Sequence, residues 1–274
     1  MLTKETIDEL KSSHVVKELC GRLEAERAAA IAIPNNHSIQ SIEEFGMLRQ
    51  RERGTMTTGH IVDFTNYINA INENYETKLF AQSQTMSATA YFNLGDKDHP
   101  GHGDYKAKLS LDETPLFKAL QEIDGKGQSQ KQTAEWLEDW RSHITASTTD
   151  GDIIDIRAAI KAVRSMTIEQ GRTSEHTIGN MSASKGTMES IEASSKTDDL
   201  PAYFTVTCHP YHGFEQRDIT TELSVLTSED SPKLKLRIIQ KEQIMQELGE
   251  EMNTKITDGL TDKAIPIYNG SFSP

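Results

Sequence analysis

The chain contains 274 residues, of which 35% are hydrophobic and 26% charged, and its 42 acidic and 29 basic residues give a formal net charge of -13. This length can bury a core in one large domain or in two small ones. The acidic excess repels phosphate backbones on average, so it argues against a dedicated nucleic-acid-binding protein without excluding a local basic patch.

The sequence also gives expectations for cellular location and for the role of its cysteines. No window approaches the roughly 18 consecutive apolar residues of a membrane span, and the first ten residues, MLTKETIDEL, lack the pattern of a signal peptide. We therefore expect a protein of the cytoplasm with no membrane partner. The two cysteines, Cys20 and Cys208, form no CxxC pair, so the sequence supports neither a disulfide framework nor a structural zinc site.

The first elements predicted along the chain are helices. Residues 4 to about 30 repeat apolar side chains near helical spacing, which predicts an amphipathic helix that packs on the body or on a neighbouring subunit. Pro34-Asn35-Asn36 then signals a turn. The stretch HIVDFTNYINAI predicts a second helix, because Ile61, Phe64, Ile68 and Ile71 fall three or four residues apart.

The spacing of apolar residues then changes from the helical repeat to alternation at every second residue. The stretches SATAYFNL and YKAKLSL read as strands, and in the second one Tyr105 begins an apolar face that alternates with Lys106 and Lys108. The loop DHPGHGDY joins these two strands. Its proline and glycines suit a turn, and we expect the Asp104 carboxylate to stabilise the loop by accepting backbone N–H bonds.

Helices are predicted again in the middle of the chain. Pro115 occupies the favoured first position of PLFKALQEI. Ser129 and Gln132 form a capping box for KQTAEWLEDWRSHI, whose Trp136 and Trp140 we assign to the core or to a subunit contact, since their acidic neighbours do not suit base stacking. Asp152 is the expected cap of the next helix.

The last third of the sequence returns to strands. Residues 171–200, rich in Ser, Thr and Gly, predict an extended hairpin or arm. The stretches AYFTVTC, DITTELSVL and KLKLRII follow as strands, the last two as an antiparallel hairpin, and a closing helix comes before the tail. Strand runs and helix runs without βαβ alternation predict an α+β fold with antiparallel sheets. We divide the chain at 1–55, 56–170, 171–200 and 201–274, as parts of one domain.

Two histidine loops are the candidate chemical site. DHPGHGDY and CHPYHGF share His-Pro-x-His spacing, so His99, His102, Asp104, His209 and His212 could together supply imidazole and carboxylate ligands to a metal. The alternative to a metal site is that these loop histidines form hydrogen bonds with the backbone or with solvent, because an HPxH turn does not reliably direct its side chains toward one point.

The candidate basic patch is RQRERG. On a strand, Arg49, Arg51 and Arg53 would share one face and could contact an anion or nucleic acid. A solvated edge or a row of salt bridges is the alternative.

Several stretches in chain order are similar to an uncharacterised phage and prophage family often labelled YfdQ-like: HSIQSIEEF, PGHGDYKAKLSLDETPLFKAL, GQSQKQTAEWLEDW and LPAYFTVTCHPYHGF. The resemblance spans most of the chain. It implies a phage-encoded protein acting in the bacterial host cytoplasm, and it supplies no activity to transfer.

Three functional hypotheses result. The leading one is a non-enzymatic accessory protein without a cofactor that acts as a homo-oligomer or a larger assembly and binds a host or phage protein, in host takeover, counter-defence or phage DNA metabolism. The second is a metal-dependent hydrolase of nucleic acid or nucleotide signals that uses the histidine loops. The third is nucleic-acid binding through the three arginines, which the net charge does not favour.

Overall fold

The computed structural model describes residue 48 and residues 51–72, 76–168, 193–194, 201–226 and 233–273. The chain divides into two compact units, Met1–Glu52 and Arg53–Pro274. The second unit contains nearly all of the described residues, and the four-part division predicted from the sequence stays a prediction. The predicted N-terminal helix lies outside the described residues, as does nearly all of the 171–200 arm.

The fold of the second unit is α+β, as the sequence predicts. Within the described ranges the helices are α1 (Ile61–Asn72), α2 (Pro115–Ile123), α3 (Gln130–Asp139), α4 (Ile156–Ser165) and α5 (Lys241–Gly259). In that part of the chain, no helix has the length and apolar character needed to cross a membrane.

A five-stranded sheet positions the candidate site. Its members are β1 (Gly54–Thr58), β2 (Lys78–Gln82), β3 (Ser87–Tyr91), β4 (Tyr105–Ser110) and a C-terminal strand (Ile267–Asn269), and the strand order is β1-β4-β3-β2 followed by the C-terminal strand. Strands β2, β3 and β4 are antiparallel, whereas β1 runs parallel to β4 and the C-terminal strand runs parallel to β2.

One face of this sheet belongs to the core. Its buried side chains alternate along the strands, as expected when one face is covered, and they are Leu79, Ala81, Ala88, Ala90, Ala107 and Leu109. Helix α1 packs against β1, β4 and α5. Phe64 and Ile68 of α1 are fully buried, and so are Leu248 and Met252 of α5.

A second, antiparallel sheet has six strands. Its short strands are β5 (Gly127–Gln128), β6 (Ile144–Ser147) and β7 (Ile153–Ile154), and its long strands are β10 (Tyr203–Cys208), β11 (Arg217–Leu226) and β12 (Lys233–Ile238). Two short strands that lie between them in sequence, β8 (Thr167–Ile168) and β9 (Ala193–Ser194), pair with each other in a separate two-stranded sheet. The order in the six-stranded sheet is β5-β12-β11-β10-β6-β7. The C-terminal strand of the five-stranded sheet is therefore β13. The predicted hairpin of β11 and β12 is confirmed.

Two predicted helix boundaries are wrong. Helix α3 ends at Asp139, and Ile144 begins β6, where it pairs with Val206 of β10. The cap of α4 is Asp155, not Asp152, because the Asp155 carboxylate accepts from the backbone N–H groups of residues 157 and 158. The Ser129–Gln132 capping box and the Pro115 helix start are confirmed.

Candidate functional site

The outer face of the five-stranded sheet carries aromatic and lysine side chains in register. Strand pairing aligns them in two rows that cross the sheet. One row is Thr55, Lys106, Tyr91 and Lys78, and the other is Thr57, Lys108, Thr89, Phe80 and Tyr268. These side chains point away from the core because they alternate with the buried ones. Neither row contains an acidic residue.

An aromatic cluster occupies one end of this face. The Phe80 ring stacks with the rings of Tyr268 and Phe272, at centroid distances of 5.2 and 5.3 Å and interplanar angles of 25° and 23°. The Tyr91 ring meets both phenylalanine rings edge-on, at 5.9 Å in each case. Tyr268 and Phe272 nevertheless remain 48% and 42% exposed, so part of each ring is open to a ligand.

The C-terminal tail holds Phe272 in this cluster. Gly270 donates its N–H to the Ala81 carbonyl over 2.8 Å, which extends the pairing of β13 with β2. Its φ of 135° lies where a side chain is strained. The turn that this glycine permits brings the Phe272 carbonyl within 2.7 Å of the Tyr91 hydroxyl, which donates to it.

The cations beside the cluster come from β4. The Lys106 ammonium lies 5.5 Å from the Tyr91 ring centroid, within cation–π range. Lys108 is exposed and has no ion pair with a described residue. Lys78 is already engaged, since it donates to the Gly95 carbonyl and its ammonium lies 3.8 Å from the Glu76 carboxylate.

Electrostatically, the face presents neutral rings with positive neighbours. Burial raises the pKa of Tyr91 above its ordinary value of 10.0, so the phenol keeps its proton and continues to donate to the tail at neutral pH. Aromatic rings on an open sheet beside ammonium groups can stack planar bases and attract phosphates. This arrangement has the chemistry of a binding surface.

The first histidine loop connects β3 and β4, as predicted. The exposed His99 side chain faces Asp96, with its Nδ1 atom 3.6 Å from the carboxylate. His102 is also exposed and has no described partner. The Asp104 carboxylate accepts a hydrogen bond from the Asn93 side chain at 2.9 Å. Asp104 thus receives a side-chain amide donor, and its predicted stabilisation of the loop through backbone N–H bonds stays a prediction.

The second histidine loop connects β10 and β11, in the other sheet. The His209 Nδ1 atom is 2.7 Å from the Phe214 carbonyl, so this ring closes its own turn. Thr114 fixes the turn from outside by donating to the carbonyls of His209 and Pro210. The two histidine loops thus belong to different sheets.

His212 meets a histidine that was not part of the predicted site. The His212 and His60 rings lie 5.4 Å apart at 55°, in an open groove of about 570 Å³ that also contains Lys255. The Lys255 ammonium lies 3.5 Å from the Glu251 carboxylate. Among the described residues, no three His, Cys, Asp or Glu side chains are placed to hold a metal.

The predicted arginine patch is described only in part, and its anion contact stays a prediction. Arg49 lies outside the described residues, and Arg51 and Arg53 precede β1, which begins at Gly54. The two tryptophans are partly buried against the core. The Trp136 indole N–H is buried and makes no hydrogen bond within the described part of the chain. Their proposed subunit contact stays a prediction.

Comparison with known families assigns the chain to one family. A model of an uncharacterized conserved protein family, DUF2303, matches residues 7–272. The chain belongs to the DUF2303 family. No curated protein and no solved structure matches it. Membership in DUF2303 assigns no activity. The predicted YfdQ-like resemblance and phage origin stay predictions.

The aromatic cluster of this DUF2303 protein was not predicted from its sequence. Alternation placed Lys106 and Lys108 on the wet face of a strand, but neither β2 nor β13 was assigned. The alternation in KLFAQ and the aromatic spacing in IYNGSF were the available signals. Neither signal alone predicts that residues 80, 91, 268 and 272 form one cluster, because the first two are distant in sequence from the last two.

Proposed function

We propose that this DUF2303 protein is a non-enzymatic, single-stranded nucleic-acid-binding protein and that the outer face of the five-stranded sheet is its binding surface. The observation that carries this proposal is the aromatic cluster in register with Lys106 and Lys108, in rows that contain no acidic residue. A single strand of nucleic acid would stack its bases on the exposed parts of Tyr268 and Phe272, and its phosphates would lie toward Lys106 and Lys108.

The rings support a single-stranded ligand. In a duplex the bases are stacked on one another, whereas in a single strand their faces are free to stack on protein rings. Every base has such a face, so this mode of recognition tolerates many sequences. We therefore expect binding with a preference for single strands over duplex and with little sequence specificity.

The charge of the whole chain sets how strongly salt acts. A net charge of -13 repels a polyanion at long range, and the described cations free on this face are few. We therefore expect moderate affinity that depends less on salt than in proteins with extended basic surfaces, because few counterions are released.

Our proposal retains the predicted biological setting. A phage- or prophage-encoded accessory protein that acts as a homo-oligomer in the bacterial cytoplasm would use such a surface in phage DNA metabolism. The N-terminal segment and the 171–200 arm remain the candidate subunit contacts, and light scattering of the full chain tests the oligomer. A host or phage protein partner is also part of this proposal.

The alternative of a metal-dependent hydrolase is tested separately. It requires His99, His102 or Asp104 to act with His209 or His212, although their loops belong to different sheets. Elemental analysis of protein purified without chelators would support it by finding stoichiometric zinc, manganese or iron. Hydrolysis of a single-stranded oligonucleotide by the wild-type protein, and loss of that hydrolysis in the variant His209→Ala, would support this alternative as well.

The direct test of our proposal is fluorescence anisotropy with a labelled single-stranded oligonucleotide. We expect the double variant Lys106→Ala/Lys108→Ala to weaken binding and to lower its salt dependence. The control variant Lys118→Ala/Lys126→Ala removes the same charge from exposed positions outside this sheet and should bind as the wild type does. Equal weakening in both variants, or tighter binding of duplex than of single strands, would refute the proposal.

A further inference from the structure

A separate basic pocket lies between α3 and α4. We propose that it is a binding site for a phosphate group, carried by a small phosphorylated molecule or by the end of a nucleic-acid strand. The pocket encloses about 260 Å³ and is lined by Glu138, Arg141, Arg157, Ile160, Lys161 and Arg164. Four cations thus surround one carboxylate in a chain whose net charge is -13.

The helical repeat explains how the cations of α4 converge. Arg157, Lys161 and Arg164 are four and three residues apart, so they lie along one side of the helix. The other side of α4 is buried through Ala159, Ala162 and Val163. The short 3-10 turn Arg141–His143 follows α3 and supplies the fourth cation.

Most of this positive charge has no described partner. Arg164 forms an ion pair with Glu138, the one carboxylate of the pocket. Arg141, Arg157 and Lys161 are exposed and make no ion pair with any residue that the structure describes. The nearby Asp155 carboxylate is occupied by the backbone N–H groups at the start of α4.

This imbalance favours an anion. Like charges four residues apart on a helix, as at Arg157 and Lys161, repel each other and destabilise it. A bound dianion would relieve that repulsion. The planar guanidinium fork matches the oxygens of phosphate and can donate two hydrogen bonds at once. Three such groups with one lysine therefore fit a phosphate group.

The size of the pocket limits which part of the ligand it holds. Sites that enclose a whole drug-sized ligand occupy about 300–1,000 Å³, and this pocket is slightly smaller and open. It therefore holds the phosphate group while the rest of the molecule extends into solvent. The apolar surface contributed by Ile160, which is itself buried, forms part of the lining.

Isothermal titration calorimetry with inorganic pyrophosphate tests one source of the phosphate. We expect the wild-type protein to bind pyrophosphate and Arg157→Ala/Lys161→Ala to lose at least about tenfold in affinity, a change of roughly 1.4 kcal/mol. Glu138→Gln should bind more tightly than the wild type, since it frees Arg164 and removes the competing carboxylate. This opposite effect separates loss of the site from loss of folding.

A pair of oligonucleotides tests the other source. A strand with a 5′-phosphate should bind more tightly than the same strand with a 5′-hydroxyl, and Arg157→Ala/Lys161→Ala should remove that difference. If the 5′-phosphate strengthens oligonucleotide binding but pyrophosphate does not bind, the end of a nucleic-acid strand is the source. Pyrophosphate binding without a difference would identify a free small molecule. Either result supports the site.

Two results would overturn the phosphate site. One is the lack of a phosphate-dependent signal with either ligand, and the other is equal binding by Arg157→Ala/Lys161→Ala and the control Lys118→Ala/Lys126→Ala. The sheet-face variant Lys106→Ala/Lys108→Ala should retain its pyrophosphate affinity. Failure of the phosphate site is therefore distinguishable from failure of the sheet-face proposal.

Discussion

Removal of the Phe272 ring should weaken nucleic-acid binding without unfolding the protein. The ring is 42% exposed, and its covered part lies against Phe80 and Tyr91. It can therefore offer its exposed part to one base. Stacking of a base on an aromatic ring contributes about 1–3 kcal/mol, so Phe272→Ala should weaken binding by roughly five- to 150-fold.

The assay is fluorescence anisotropy with a labelled single strand, and Phe272→Leu is the matched control for hydrophobic volume. We expect the leucine side chain to cover Tyr91 as the Phe272 ring does, but to recover little of the stacking with a base. The chain has seven tyrosines, so the titration of Tyr91 is taken as the difference between ultraviolet titrations with and without Tyr91→Phe. It shows whether the Phe272 ring covers Tyr91 in solution, because the raised pKa of Tyr91 should fall toward 10.0 in Phe272→Ala and less in Phe272→Leu. Wild-type affinity in Phe272→Ala, together with the lowered tyrosine pKa, would refute the stacking argument.

Three further predictions concern the tail, the last helix and the buried thiol. Gly270→Ala should weaken single-strand binding about as much as loss of the Phe272 ring, because a φ of 135° costs a side chain about 1–3 kcal/mol; unchanged anisotropy would contradict this. The pKa of Glu251 is lowered below 4.5 despite burial, which raises it, because a backbone N–H and the Arg217 guanidinium stabilise the carboxylate. Its contribution to stability is therefore complete above the ordinary value and is lost as the pH falls through the lowered pKa, so Glu251→Gln should destabilise the protein in urea more at about pH 7 than at about pH 3; equal losses would contradict this. Burial and Asp218 raise the pKa of Cys208 to about 11, so in a Cys20→Ser background the thiol should react with iodoacetamide at neutral pH only after unfolding, and rapid labelling of folded protein would contradict this.

Local patterns in the sequence predicted much of the fold. Helical spacing of apolar residues predicted α1 and α5, and alternation predicted β4, β10, β11 and β12. The Ser129–Gln132 box and Pro115 set helix starts because capping depends on neighbours within one turn. The error at Ile144 arose because β6 pairs with β10, a strand distant in sequence, and a local pattern does not contain that pairing. The helix after β7 is capped by Asp155 because Ile153 and Ile154 pair with β6 instead of joining the helix.

The α+β class, most helices and the hairpin strands were therefore accessible from the amino-acid order, since burial on one face imposes a regular period on the residues. The candidate site was not, because it depends on tertiary structure. Strand order brings Phe80, Tyr91 and Tyr268 into adjacent positions, and the turn at Gly270 adds Phe272. Strand order also assigns the two histidine loops to different sheets, although their sequences are alike. Pairing between distant strands depends on the whole core, so it cannot be read from either strand separately.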